Sequence, residues 1–244
     1  MIVAGDINHA DIFNKVQEIY GSWQPSGFDP LTKWPIPEFK SLKKTDYFIV
    51  ESNLSRTPQI TIAWQGPDTR HDINATYAAD VFSYILNQNS SQLNKALVQT
   101  GLASEISFHY STLKYGGPIT LIITPNPSKV KECAAEAMKQ LATMDNEDYF
   151  TDSQIETAKR KLEINNIRTA DITTNYVHTL SYWWTSASMS YYLTYLDNLK
   201  KVNRTDLQTY IRKYIKNKPY CAGLLISPGL SAQINARSFF IATN

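Results

Sequence analysis

A helix-stop-strand unit in mid-chain constrains the fold more than any other stretch. It reads Ser90-Ser-Gln-Leu-Asn-Lys-Ala-Leu-Val-Gln-Thr-Gly-Leu-Ala103 and leads into an alternating run over residues 104–110. Ser90 or Ser91 can accept the backbone N–H bond that opens a helix. Leu93, Ala96 and Leu97 then share one helical face at i, i+3 and i+4. Gly101 stands just past the last helical residue, where the missing Cβ makes positive φ cheap. Ile106, Phe108 and Tyr110 alternate as one face of a half-buried strand. By pattern alone this is an ordinary α+β supersecondary element.

On either side the chain alternates between the two periods. Asn8 predicts the cap of a helix with Asp11 in its first turn and Ile12, Phe13, Val16, Ile19 and Tyr20 on one face, stopped by Gly21. Pro25, Pro30, Pro35 and Pro37 follow at a density that sustains neither helix nor central strand. Strands are expected over residues 47–51 and 59–64, then a helix over 72–87 carrying Ile73, Tyr77, Val81, Tyr84 and Ile85. Beyond the central unit, Tyr115-Gly-Gly-Pro118 is turn chemistry, and Ile119, Leu121 and Ile123 alternate again. A helix over 128–144 presents Val130, Cys133, Ala134, Ala137, Met138 and Leu141 in register. Residues 145–148 read as a solvated acidic loop. Helices follow over 151–167, with Lys159-Arg160-Lys161 on the wet side, and over the aromatic stretch 175–199. Asn203 caps a last helix, and residues 221–226 form a closing strand. Leu224 to Ile234 echoes Ile2 to Ile12, each a strand, a turn and a helix start. The expected organisation is therefore a strand-helix tail of a preceding domain (1–23), an interdomain linker (24–44), one domain (45–230) and a tail or the start of a next connector (231–244).

The chemistry visible in the sequence is sparse. A net charge of +2 gives no electrostatic footprint for nucleic acid. No apolar run is long enough to span a bilayer, and no leader pattern opens the chain. That last absence carries no weight, because residues 1–4 read as a strand with no earlier partner, as in a piece of a longer protein. Cys133 and Cys221 form no motif and read as buried free thiols rather than a disulfide. No nucleophile elbow, Walker loop or dinucleotide fingerprint is present, and Gly116-Gly117 precedes a proline rather than a helix. Arg212, Lys213, Lys216 and Lys218 read as a solvated helix end. Tyr176, Tyr182, Trp183, Trp184, Tyr191, Tyr192 and Tyr195 form a cluster that either packs helix on helix or offers flat faces to a peptide or sugar.

The wording of the central unit, a small residue and Ser-x-Leu-x-x-x-Leu followed by Gly-Leu-Ala, resembles the central helix of the pitrilysin/insulinase-like zinc metallopeptidases, which include the mitochondrial processing peptidase. Val3-Ala-Gly-Asp-Ile7 looks like that family's strand-to-helix turn, residues 59–67 like its early strand ending in Gly-Pro, and residues 202–215 like its late helix. The resemblance implies an α+β fold, an antiparallel-dominated sheet with helices packed on one face. The family's metal site is an H-x-x-E-H helix with a distant Glu. His9, His71, His109 and His178 stand at no such spacing, so no metal ligand and no catalytic residue is expected here. The family's non-catalytic half also supplies an Arg and a Tyr near the end of the central helix. The matching positions are Val98 and Ser104, which carry neither a guanidinium nor a phenol.

What the resemblance implies is a non-catalytic peptidase domain forming part of the wall of a peptide-enclosing chamber. Zinc would belong to the parent's catalytic domain. The partners would be that preceding domain, the other half of the peptidase and an unfolded peptide, with no nucleic acid and no membrane span. Whether the zinc helix lies just upstream or the chain comes from a degenerate half stays open, as does the compartment: cell envelope, periplasm or cytoplasm in a bacterium. Two rivals stand beside this reading. One is a stand-alone peptide- or sugar-binding module with Trp183 and Trp184 as contacts. The other is an active hydrolase with a site assembled from scattered residues.

Overall fold

Strict alternation in residues 59–66 decides the layering. Ile60, Ile62 and Trp64 are buried, while Gln59, Thr61, Ala63 and Gln65 between them are half-buried, so one face of this strand is covered and the other is open. A computed structural model describes residues 1–170 and 172–241. In chain order its elements are α1 (His9–Tyr20), α2 (Pro30–Lys33), β1 (Asp46–Glu51), β2 (Gln59–Gly66), α3 (Ile73–Leu86) and α4 (Gln92–Asn94), which runs into a π-helical turn (Lys95–Gln99). Then come β3 (Ala103–Tyr110), β4 (Gly117–Pro125), a single 3-10 turn (Pro127–Lys129), α5 (Val130–Thr143), α6 (Asp152–Ala170), α7 (Thr173–Ser186), α8 (Met189–Lys201) and α9 (Arg204–Tyr214). β5 (Cys221–Ile226), α10 (Pro228–Gln233) and α11 (Ala236–Phe240) complete it. Residues 242–244 of the expected C-terminal tail lie outside the described residues.

The sheet has five strands in the order β1-β5-β2-β4-β3. The β1–β5 pair is parallel, with Ile49 opposite Leu224; the other three pairings are antiparallel. The antiparallel-dominated α+β fold expected from the resemblance is what the chain builds. The covered face carries Ile60, Ile62, Phe108, Ile119, Leu121, Ile123 and Leu224, all at most 2% exposed. α3 lies against it, with Phe82 meeting Phe108, Phe150 and Tyr210 edge-on at 5.6, 6.2 and 5.8 Å. On the open face Phe48 and Val50 are each 46% exposed, and the Phe48 ring closes over Gly223, where a Cβ would stand 2.5 Å from its Cζ.

Several expectations need correction. Residues 1–4 form no strand: without a partner strand the backbone groups have no ladder to join, and Met1 and Val3 are 79% and 47% exposed. α1 forms on its predicted cap, with Asn8 Oδ1 accepting from Ala10 N at 2.9 Å, yet no residue of it is buried. Ile73 is not on the buried face of α3; it is the first helical residue after the Asp72 cap and is 41% exposed. The single aromatic helix expected over 175–199 is two, α7 and α8. The break falls at Ala187, whose φ of −149° and ψ of −98° leave the helical region, and Ser188 caps α8 by accepting from Tyr191 N at 3.0 Å. The acidic loop is not fully solvated. Asp145 is 9% exposed, and Arg212 (3.0 Å) and Lys216 both donate to it, so two of the four cations read as solvated are tied down. A third, Lys213, donates to Asp72 at 2.5 Å.

Candidate functional site

The central helix ends in two consecutive backbone irregularities. Ser91, not Ser90, is the cap: its Oγ accepts from Asn94 N at 3.1 Å and donates to the Leu86 carbonyl at 2.8 Å. Leu93 and Leu97, both fully buried, anchor the helix. After one α turn the chain widens into the π turn, and Thr100 Oγ1 donates to the Ala96 carbonyl at 2.6 Å. Gly101 then takes φ of +70° and donates its N–H to Val98 O at 2.9 Å. This is the left-handed stop that its position predicts.

β3 opens on a β-bulge. Ala103 pairs with Pro125 and Glu105 with Thr124, so Ser104 is the extra residue between them. Its side chain is exposed, with Oγ donating to Thr124 O at 3.3 Å. Val98 sits half-buried in the π turn on the other side of Gly101. Both positions thus lie on distortions of a kind that recurs at functional sites. What they present is an isopropyl group and a hydroxyl already engaged with backbone. Neither can stabilise developing negative charge as an Arg or Tyr would. Lys129 Nζ, from the 3-10 turn before α5, comes within 3.8 Å of the point where a Cβ would stand on Gly101.

The aromatic cluster divides. Trp183 packs inward, 4.9 Å from Tyr191 and 6.3 Å from Tyr195 between ring centroids, and Tyr191 stacks on Tyr77 of α3 at 5.1 Å. Hydroxyls within this packing find partners: Tyr191 pairs with Thr76 Oγ1 at 2.8 Å, and Tyr195 donates to Asp80 Oδ2 at 2.8 Å. Burial pushes the Asp80 carboxyl up to about 7, against the opposing pull of the Tyr195 hydroxyl. Trp184, one residue on and so about 100° around the helix, is 68% exposed.

The histidines stay apart, each on the surface. His71 Nδ1 lies 2.9 Å from Asp68 Oδ1, which fixes the turn before α3, and His109 Nε2 meets its neighbour Ser107 Oγ. Among the described residues no three His, Cys, Asp or Glu side chains come together as a metal-binding group. Cys133 is buried and Cys221 half-buried; both are free, and burial pushes the Cys133 thiol up to about 11, leaving it an unreactive thiol at neutral pH. No helix is long and apolar enough to cross a membrane among the described residues.

Residues 1–162 match the model for the peptidase M16 inactive domain, and the chain belongs to that family. Solved structures share the fold. A protease from Helicobacter pylori superposes with a TM-score of 0.77 at 18% identity, over 91% of this chain and 53% of that one. A chain of complex III2 from Candida albicans gives 0.72 at 10% identity, over 94% and 54%. The peptidase M16 inactive domain from Pseudomonas fluorescens gives 0.65 at 13% identity, over 91% and 52%. The chain spans about half the length of these structures. A search of the curated proteins found no match.

Proposed function

We propose that this domain forms part of the wall of a peptide-enclosing chamber in a zinc metallopeptidase whose metal and ligands lie in another domain. The observation that carries the reading is the uncovered sheet face. A two-layer domain buries one face of its sheet under helices and leaves the other for solvent or a partner. Here the open face is mixed, with Thr61, Gln65, Ser107 and Glu105 beside Phe48 and Val50. Such a surface suits transient contact with extended peptides of varied sequence better than a permanent interface.

Residues 1–23 support a second element of the proposal, that this segment docks on a preceding domain. α1 presents Phe13 (70% exposed), Ile19 (51%) and Tyr20 (40%), and no residue of it is buried in this structure. An amphipathic helix with its apolar stripe in water lacks the packing that normally holds a helix. In this reading residues 24–44 are the linker, 45–230 the wall domain and 231–244 a tail or the start of a next connector, of which α11 packs Ala236 and Phe240 against the core.

The test is peptidase activity on an unfolded peptide, with and without zinc. The chain alone is expected to be inactive in both, and to support zinc-dependent turnover when joined to a domain bearing H-x-x-E-H. Zinc-dependent turnover by this chain alone overturns the proposal. The rival binding module rests on Trp184, whose indole is 68% exposed.

A further inference from the structure

β1 is the outermost strand on one side of the sheet, and its backbone groups set the geometry of its free edge. Asp46 N–H bonds Tyr220 O at 2.9 Å and Ser52 N–H bonds Ile226 O at 3.0 Å, so every second residue of this segment faces β5. Tyr47, Ile49 and Glu51 therefore turn their N–H and C=O groups off the sheet. Tyr47 N–H is met by the neighbouring Asp46 Oδ1 at 3.1 Å, while the N–H groups of Ile49 and Glu51 meet no acceptor among the described residues.

The opposite outer strand is guarded: Asn87 bonds the Phe108 backbone with both ends of its amide, and the bulge at Ser104 breaks the ladder. β1 lacks these guards. Its register with β5 runs unbroken from Asp46 to Glu51, and it contains neither proline nor lysine. The Glu51 carboxylate is engaged by the Ser231 hydroxyl of α10 at 2.7 Å. An outer strand without such devices is a template for another strand.

The side chains say which strand fits. β1 reads Asp-Tyr-Phe-Ile-Val-Glu and is complementary to itself. Laid antiparallel on a second copy about a two-fold axis at Ile49, it sets Ile49 opposite Ile49 and Tyr47 opposite Glu51 as hydrogen-bonded pairs, which uses the off-edge groups of all three residues. Phe48 of each copy then faces Val50 of the other at the non-hydrogen-bonded positions, where side chains stand closest. Both are 46% exposed in the single chain, and an aromatic against a β-branched residue is a favoured cross-strand pair. Asp46 falls opposite Ser52, so no like charges are opposed.

We infer that two copies of this chain join along β1, antiparallel and edge to edge, into one continuous sheet. The inference does not rest on the chamber proposal: the join uses the edge, and the open faces of the two sheets come to lie side by side. A seam of one strand pair buries little surface, so the association is weak and depends on concentration.

Sedimentation velocity of the purified chain from about 5 to about 500 µM is expected to show a reversible monomer–dimer equilibrium. Phe48→Lys with Val50→Lys sets ammonium against ammonium at both crossings and is expected to weaken the dimer at least about tenfold. Phe48→Lys with Val50→Glu loses the same apolar pairs but sets opposite charges there, and is expected to associate at least about threefold more tightly than the first variant. A parent that stays monomeric at the highest concentration overturns the inference, as does equal association of the two variants. Should either variant fail to fold, hydrogen exchange in the parent decides: the Ile49 and Glu51 amides should exchange more slowly at high than at low concentration, and exchange independent of concentration overturns the inference. An added unfolded peptide that slows these amides in a chain that stays monomeric assigns the edge to peptide and overturns it too.

Discussion

Asn87 grips the backbone of Phe108 with both ends of its side-chain amide: Nδ2 donates to the Phe108 carbonyl at 2.7 Å, and Oδ1 accepts the Phe108 N–H at 2.8 Å. The register makes this necessary. Ser111 N–H bonds to Pro118 O, so alternate residues of β3 face β4 and Phe108 turns its N–H and C=O off the sheet edge. β3 is an outermost strand, and an open edge invites pairing with another chain. Asn87, one residue beyond α3, stands in for the missing strand at this point.

Asn87→Ala removes both bonds beside a residue that is 1% exposed. It is expected to cost about 1–3 kcal/mol, read as a lower midpoint in urea denaturation. Concentration-dependent association should rise as the edge opens. Asn87→Asp keeps one acceptor but sets a carboxylate against the Phe108 carbonyl, so it should be no better than Ala. A midpoint within error of the parent for both variants would remove the edge-cover role.

Asp80 sets a second expectation. Burial raises its carboxyl to about 7 in the folded chain from 3.8 for an ordinary Asp, and the Tyr195 hydroxyl of α8, donating from 2.8 Å, pulls only partly the other way. Between those values the folded state holds a proton that the unfolded chain has released. Stability contributed by the protonated carboxyl is therefore complete below about 3.8 and is lost as pH rises through about 7. Melting temperature should fall from pH 5.5 to 8. Asp80→Asn keeps an acceptor for the Tyr195 hydroxyl and should flatten that slope; a slope that survives the substitution places the titration elsewhere.

Asp145 runs the other way. Burial alone would raise its carboxyl, but Lys216 and Arg212 outweigh burial and hold it below the usual 3.8. Its contribution is present above that value and is lost as pH falls through the depressed folded one. Asp145→Asn is expected to cost about 1–3 kcal/mol at neutral pH by leaving two cations of the α9 end without their anion. The gap between parent and variant should close in strong acid. Equal denaturation midpoints at pH 7 would show that the pair holds nothing.

How far the sequence discloses the fold follows from the range of the interactions. β5 is legible to the residue, because a short apolar run between Pro219 and Ser227-Pro228 is a local signal. The Gly101 stop is legible for the same reason. Asn87 is illegible: its partner lies 21 residues away and an Asn at a helix end looks like any cap. The π turn escapes too, since Leu93 and Leu97 share a face in either geometry. Asp80 is marked in the sequence only by its setting, a carboxylate between Ala79 and Val81 on a helix otherwise buried there. Nothing in the local sequence marks Val98 as lying in a π turn or Ser104 as the extra residue of a bulge.

Adjacent indoles give the sharpest separation between scaffold and contact surface. Trp183 meets Tyr182 edge-on at 5.1 Å as well as Tyr191 and Tyr195, and through them braces α7 and α8 against α3. Trp183→Ala should cost about 3–4 kcal/mol, seen as a lower denaturation midpoint, because it opens a void among rings that cannot collapse together. Trp184 touches none of that packing and is 68% exposed, so Trp184→Ala should move the midpoint by no more than about 0.5 kcal/mol. The pair then reads function cleanly. If an unfolded peptide or a sugar binds this chain and Trp184→Ala abolishes it with the fold intact, the binding-module reading gains and the passive wall loses. If binding is absent, or indifferent to Trp184, the exposed indole is no contact. Where a peptide binds but is indifferent to Trp184, the proposed contact is the open face of the sheet, and Phe48→Ser together with Val50→Ser should weaken that binding.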